Sequence, residues 1–496
     1  MNAYLHTFAV VLLTLATGGC NLAPTYHRPD PPVADILPVP QVQEKREGSA
    51  ESVPTDIAAL GWRDVFPDPS LQKLIQSALS HNRDLRETAL TVEAYQAQYR
   101  IQRAPLLPTV SGDAAGTKQR TLSSNNHITA ELYSASVGIT AYELDFFGRV
   151  RNLKGQALAQ YLAMEETHRS ARISLVAEVA RAYFTWHTDR ELLAITEDTH
   201  RIEEESFQLI EQRTREGLAT QLELAQARTG LETARANLAL YRRLVAQDVN
   251  YLVLLTGGTP PIETGQQLPL VKQIGESTLP AHLSSHILLQ RPDIMAAEHE
   301  LQGAHASIGA ARAAFFPAVN LTAAAGVISG DLTDLFDGSS GSWIFAPSLT
   351  LPIFTGGRLA AQLDVAEIRK NISVARYERT IQQAFREAAD ALVAVEGYRE
   401  QMIAQKANLA ANQDYFTLAR DRYHQGLDSF LTLLDAQRSL YTSRKNLLSL
   451  QLAESTNRVN LYKVLGGGWQ EWSEIPQTAG QQERQATGLA TGMNNG

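Results

Sequence analysis

Two textures alternate along this chain. Over 131–146, Tyr133, Ala135, Val137, Ile139 and Ala141 take one parity, and Ser134, Ser136, Gly138 and Thr140 the other. Val319, Leu321, Ala323, Ala325 and Val327 alternate with Asn320, Thr322 and Ala324; Trp343, Phe345, Leu349, Leu351 and Ile353 alternate with Ser348 and Thr350. A period of two predicts strands with one apolar and one polar face. They fall at about 108–118, 131–146, 317–328 and 342–354, each pair separated by a polar loop, TLSSNNHITA or SGDLTDLFDGSSG. Elsewhere the apolar spacing is three and four. Ile173, Val176, Ala180, Tyr183 and His187 lie in a proline-free run that Gly148 opens and Gly217 interrupts. This predicts a helix over 148–214, with a counterpart over 358–423. Such a helix of about 65 residues is roughly 100 Å long, too long to lie in a compact core. Shorter helices are predicted at 82–103, 220–256, 291–312 and 429–465. The last carries Leu433, Ala436, Leu440, Ser443, Leu447 and Leu450, a heptad seam that packs helices at a shallow angle.

The pattern occurs twice. A shift of 209 residues lays Asp84 on Asp293, Arg103 on Arg312, Gly148-Arg149 on Gly357-Arg358, Arg213 on Arg422, Gly217 on Gly426 and Leu231 on Leu440. This period is far longer than that of a solenoid and marks a duplicated unit. The first repeat is 61–258 and the second 289–468, with a linker at 259–288 and a terminal segment and disordered tail at 469–496. The apolar parity of the strands differs by one residue between the halves, which places a slip near 355–357.

The chain has 496 residues, with 53 acidic and 44 basic side chains and a formal charge of −9. No basic domain stands out, so nucleic acid is excluded as a partner. Hydrophobic residues are 44% but aromatics only 7%, so the core-forming content is small or aliphatic and suits close-packed helices. The single cysteine, Cys20, excludes an internal disulfide and a cysteine-cluster metal site. It ends the apolar run FAVVLLTLATGG, of signal-peptide length, which makes 1–19 a signal peptide. The small residues before Cys20 resemble a bacterial lipoprotein signal, although Thr17 and an uncharged start depart from it. That resemblance implies a lipid on Cys20, with Asn21 suiting the outer membrane. Residues 20–60 then form a lipid anchor and an extended, proline-rich tether. No later stretch reaches the ~18 apolar residues of a membrane-spanning helix.

A strand of about 12 residues is roughly 40 Å long; tilted near 45°, it spans about a hydrocarbon layer. Tyr133, Tyr142, Phe146, Phe315, Phe316, Trp343 and Phe354 stand near the strand ends, as the girdles of a membrane barrel do. A soluble sheet packed on helices is the competing reading. Four strands do not close a barrel, and open edges are not tolerated in lipid. The membrane reading therefore requires two, three or four copies.

Several stretches resemble the TolC-like outer-membrane efflux protein family, in its NodT-type lipoprotein branch. They are GWRDVFPDPSLQKLI (61–75), ELDFFGRVR (143–151), LQRPDIMAAEHELQGAHASIGAARAAFFPAVNLTAAAG (289–326), YHQGLDSFLTLLDAQRSLY (423–441) and NLYKVLGGGW (460–469). The resemblance implies a mainly α fold with membrane β: a homotrimer whose twelve-stranded β-barrel continues as a long α-helical barrel. It implies an equatorial belt from about 60–80, 258–290 and 466–476. It also implies a passive exit duct for small molecules, with a periplasmic adaptor, an inner-membrane pump of the RND type, outer-membrane lipid, and no cofactor besides the lipid on Cys20. A lipid-anchored periplasmic coiled-coil spacer, a soluble helical adaptor and a type I secretion duct are the alternatives.

No catalytic constellation is present. Gly338-Ser339-Ser340-Gly341 is too short for a nucleophile elbow, and Gly303 stands where the second histidine of H-E-x-x-H would follow His299-Glu300. His282 and His286 have helical spacing but lie in a loop. The sharpest candidate is a gate. Leu418, Asp421 and Arg422 share a helical face just before Gly426, and their counterparts are Leu209, Gln212 and Arg213. In the resembled family the periplasmic tip closes near this turn. A ring of Asp421 carboxylates would favour cations there. Arg422 or Arg213 would pair across helices and hold the tip shut. Gly217, Tyr423, Gly426, Leu427 and Asp428 are the adjacent candidates for gating or adaptor contact.

Overall fold

A computed structural model describes residues 21–38, 60–123, 126–258 and 284–473. The signal peptide, Cys20, tether residues 39–59, linker residues 259–283 with His282, and the tail beyond 473 lie outside the described residues.

The helices are α1 (Trp62–Val65), α2 (Pro69–His81), α3 (Arg83–Arg103), α4 (Arg149–Arg215), α5 (Gln221–Thr256), α6 (Pro292–Ala313), α7 (Arg358–His424) and α8 (Phe430–Val464). The strands are β1 (Val110–Ser123), β2 (Asn126–Leu144), β3 (Ala318–Ser329) and β4 (Gly341–Thr350). Both α4 and α7 have 67 residues, and the flanking helices match in length across the repeats, so the 209-residue period is one of architecture as well as sequence. Helix α2 was not anticipated, although its start signal is in plain view: Pro69 occupies the first turn and Asp68 accepts a hydrogen bond from the Ser70 amide.

The chain forms two units, each with its own contacts. Of the described residues, the first comprises 21–31, 89–123, 126–167 and 293–380. It contains the sheet, in the order β1-β2-β3-β4, antiparallel throughout, with β1 and β4 at the edges. Both strands of the first hairpin are longer than periodicity predicts, because Gln119 pairs with Ala130 and Leu122 with His127 inside the polar stretch. A ladder of backbone hydrogen bonds continues past the apolar band, and periodicity reports only the band. Strand β4 stops at Thr350 rather than 354, since Pro352 has no N–H to donate. The one-residue slip lies in β2 rather than near 355–357. Ile139 pairs with Ala323 and Tyr142 with Leu321, so one extra residue bulges out, and Ala141 takes φ +51°.

The apolar side chains of this sheet are not buried beneath the chain's own helices. Trp343 is 79% exposed, Leu349 66% and Val137 60%, and β4 is exposed along its whole length. Among the described residues no helix is long and apolar enough to cross a membrane. The start of the expected free tether is docked in this unit. Arg28 forks onto Glu298, with Nε–Oε1 at 2.9 Å, and Tyr26 donates to the same carboxylate at 3.0 Å. Tyr26 also meets His305 edge-on, and Asn152 donates to Asn21 at 3.0 Å. The segment is extended, as its prolines require, but two polar side chains find a buried acid and hold it in place.

Of the described residues, the second unit comprises 32–38, 60–88, 168–258, 284–292 and 381–473. Its core gathers Trp62, Phe66, Leu71, Leu74 and Ile75 with Tyr183 and Phe184 of α4. Phe66 meets Tyr462 of α8 edge-on at 6.0 Å, and Tyr183 donates to the buried Asp68 carboxylate at 2.9 Å. Backbone bonds from Trp62 to Gln470 and from Arg63 to Glu471 join the two belt segments expected at 60–80 and 466–476. Leu37 is buried here, and Ile36 bridges to Ser284.

Candidate functional site

The two helical turns at 216–220 and 425–429 belong to the second unit and are built alike. The Gly217 amide donates to Thr214 and Leu218 to Arg213; in the second repeat Gly426 donates to Tyr423 and Leu427 to Arg422. Each turn satisfies the orphan carbonyls of the preceding helix by placing glycine in the left-handed region, with φ +74° at Gly217 and +73° at Gly426. A β-carbon at either position would meet nothing within 4 Å, so glycine is required for its dihedral and not for space. The following helices start on side-chain caps. Thr220 and Glu223 form a reciprocal capping box, and Ser429 accepts from the Thr432 amide.

The two turns are one packed structure. Ile210 and Ala227 of the first repeat are buried against Phe430 and Leu434 of the second, with Phe207, Leu224 and Tyr423 around them. Tyr423 packs on Phe430 at 5.8 Å and receives a hydrogen bond from Arg213 at 3.1 Å. Arg213 thus pairs across helices. Arg422 does not. It forks onto Asp428, with Nε–Oδ2 at 2.6 Å and Nη2–Oδ1 at 3.1 Å, within its own hairpin. The tight turn sets Asp428 opposite Arg422, whereas the equivalent position in the first repeat is Ala219, so Arg213 has no acid there. The Arg422 guanidinium holds the Asp428 carboxyl below the usual carboxylate range, and Asp428 raises Arg422 in return. Asp421 is exposed and pairs with its neighbour Arg420 at 3.5 Å, not with Arg422. Leu418 and Leu427 are each 62% exposed.

A wider feature escaped the sequence reading. Leu209, Leu218 and Leu222 are exposed around the first turn, and Leu418, Leu427 and Leu431 around the second. They are the same three positions under the 209-residue shift, so the signal was available in the repeat itself. Six leucines on packed, capped turns thus leave apolar side chains exposed.

These features have counterparts in known proteins. The model of the outer membrane efflux protein family matches residues 74–258 and again 283–467, once per repeat. The antibiotic efflux pump outer membrane protein ArpC of Pseudomonas putida is 48% identical over 477 residues, covering 95% of this chain and 97% of that protein. The toluene efflux pump outer membrane protein TtgC of the same species has the same identity and coverage. The open-state crystal structure of the Neisseria gonorrhoeae MtrE outer membrane channel superposes with a TM-score of 0.83 at 39% identity, covering 92% of this chain and all of that one. Duplicated strand-and-helix repeats, an uncovered sheet and paired helical turns, matched by relatives over nearly the whole length, place this chain in the outer membrane efflux protein family, as an outer-membrane channel component of an efflux system.

Proposed function

We propose that three copies of this chain close their sheets edge to edge, β4 of one against β1 of the next, into a twelve-stranded barrel that continues as a helical duct. The carrying observation is the sheet itself, with two unpaired edges and apolar side chains exposed rather than packed on helices. Lipid does not tolerate unpaired edges, and closure between copies removes them. The test is native mass spectrometry of the detergent-purified protein together with planar-bilayer recording. Trimer mass and stepwise conductance are expected; a monomer without conductance would refute the reading.

The paired turns form the periplasmic gate and the docking surface for an adaptor. Leu418, Asp421, Arg422 and Arg213 line or hold the constriction; Gly217, Tyr423, Gly426, Leu427 and Asp428 shape it. The six exposed leucines support apolar contact with a periplasmic adaptor, which couples the duct to an inner-membrane pump of the RND type. Replacing Leu218 and Leu427 by Asp should abolish adaptor cross-linking while leaving the trimer intact. If Asp421→Ala leaves closed-state conductance and cation preference unchanged, Asp421 lies outside the constriction. Cargo is a small molecule, as the antibiotic and toluene named for two relatives are. A lipid on Cys20 adds a second attachment to the outer membrane, and loss of acyl labelling in Cys20→Ser tests it.

A further inference from the structure

A cavity of about 280 Å³ opens in the first unit where the strands give way to the long helices. The end of β2, the start of β3, the end of β4 and the starts of α4 and α7 all line it. Its apolar wall includes Leu144, Phe146, Phe147 and Phe316, the last two stacked at 4.7 Å. Its polar wall holds two arginines at equivalent repeat positions, Arg149 and Arg358.

The repeats differ here in a way that exposes one charge. In the first, Glu143 accepts a hydrogen bond from Arg149 at 2.8 Å, and Asp145 accepts from Arg151 at 3.2 Å. In the second, the shifted positions of those two acids carry Pro352 and Phe354. Arg358 therefore has no carboxylate partner among the described residues and reaches only Gln362, at 3.3 Å. Beside it, Ile353 is 92% exposed and Phe354 89%. The cavity thus keeps the two acids of the first repeat, each held by an arginine, and has none from the second, so Arg358 is left over at a wall whose neighbours Ile353 and Phe354 lie outside the lining. Surplus positive charge next to exposed apolar surface, at the ends of outer-membrane strands, is complementary to one kind of molecule: a lipid with an anionic head.

We propose that this cavity holds the head of an anionic glycerophospholipid of the inner leaflet of the outer membrane, its phosphate on Arg358, with the upper acyl chains leaving Phe147 and Phe316 in the cavity for the exposed Ile353 and Phe354 outside it. Arg149 stays engaged with Glu143 and shapes the wall. The strands would then carry a fixed lipid at their periplasmic rim.

The test uses the full-length protein, delipidated in detergent and titrated with phosphatidylglycerol or phosphatidylcholine under native mass spectrometry. One phosphatidylglycerol per chain is expected, bound about tenfold more tightly than phosphatidylcholine, the effect of one charge-assisted contact. Arg358→Ala should remove that preference and Arg358→Lys should keep most of it. Replacing Ile353 and Phe354 by Ser should weaken both lipids. Arg243→Ala, an exposed arginine of the other unit, should change nothing. Unchanged circular dichroism and oligomer mass verify that each variant folds. Equal binding of the two lipids, an Arg358→Ala variant that matches the wild type, or displacement by inorganic phosphate alone would each overturn the proposal.

Discussion

Arg213 donates a hydrogen bond to the hydroxyl of Tyr423 at 3.1 Å, and the two residues come from different repeats of one chain. It is the polar tie between the paired turns, supplementing the apolar cluster of Ile210, Ala227, Phe430 and Leu434. A part-exposed bond of this kind contributes on the order of 1 kcal/mol. On the proposed gate, where this bond holds the closed form, Tyr423→Phe should raise the open fraction of the channel about fivefold in bilayer recordings. Arg213→Ala should do the same, and the double variant no more than either, because both remove one interaction. Additive effects would show that the two side chains act separately.

The turns themselves depend on left-handed glycine. Gly217→Ala or Gly426→Ala should each cost about 1 kcal/mol, without any steric clash, because the surrounding space is open. Asn tolerates the left-handed region, so Gly426→Asn should recover much of the loss. Thermal melting of the three variants distinguishes this from a packing role, for which Asn would be the worse substitute.

Asp189 of α4 and Asp248 of α5 are close enough for one to donate a proton to the other. Burial first, then the Asp189 charge and hydrogen bond, pushes the Asp248 carboxyl up to about 6; burial also raises Asp189. Both pKa shifts are upward, so the folded state holds more protons than the unfolded one between about pH 4 and 6. The pair's contribution to stability should therefore fall as pH rises through that window and level off above it. Asp248→Asn should flatten this slope and stabilise the protein at pH 7 by roughly 1 kcal/mol, once the half-exposed position is discounted for solvent screening. Melting curves of the wild type and Asp248→Asn from pH 4 to 8 check the sign, and an advantage of Asp248→Asn that shrinks as pH rises contradicts it.

Glu298 is buried and takes hydrogen bonds from Arg28 and Tyr26, which bind the segment 21–31 to α6. Arg28→Ala would leave that carboxylate undercompensated, at a cost of roughly 1–3 kcal/mol. Tyr26→Phe should cost less. Hydrogen exchange at residues 22–31 should accelerate most in Arg28→Ala, while the paired turns at 217 and 426 exchange as in the wild type. Equal protection in both variants would mean that apolar contacts alone hold the segment.

Much of this was legible from residue order. The alternation around Val137 and Trp343, the proline-free runs after Gly148 and Gly357, and the 209-residue shift locate the four strands, the long helices and the two turns. These are properties of local periodicity and of backbone freedom, which a chain declares residue by residue. The belt helix α2 was missed for want of reading Asp68-Pro69 as a start, and the strands of the first hairpin were drawn short because apolar alternation ends before the hydrogen-bonded ladder does.

Other features came only with three-dimensional pairing. Arg213 or Arg422 was expected to reach across helices; Arg213 does, because Asp428 engages Arg422 within its own hairpin while the equivalent position in the first repeat is Ala219. The slip in strand parity is absorbed at Ala141, not at the glycines after β4, because the register against β3 sets where an extra residue fits. Glu298 finding Arg28 and Asp189 finding Asp248 are contacts between residues far apart in the chain. Periodicity specifies which face of an element is apolar, but the partner of a particular charge depends on distances that exist only once the elements have packed.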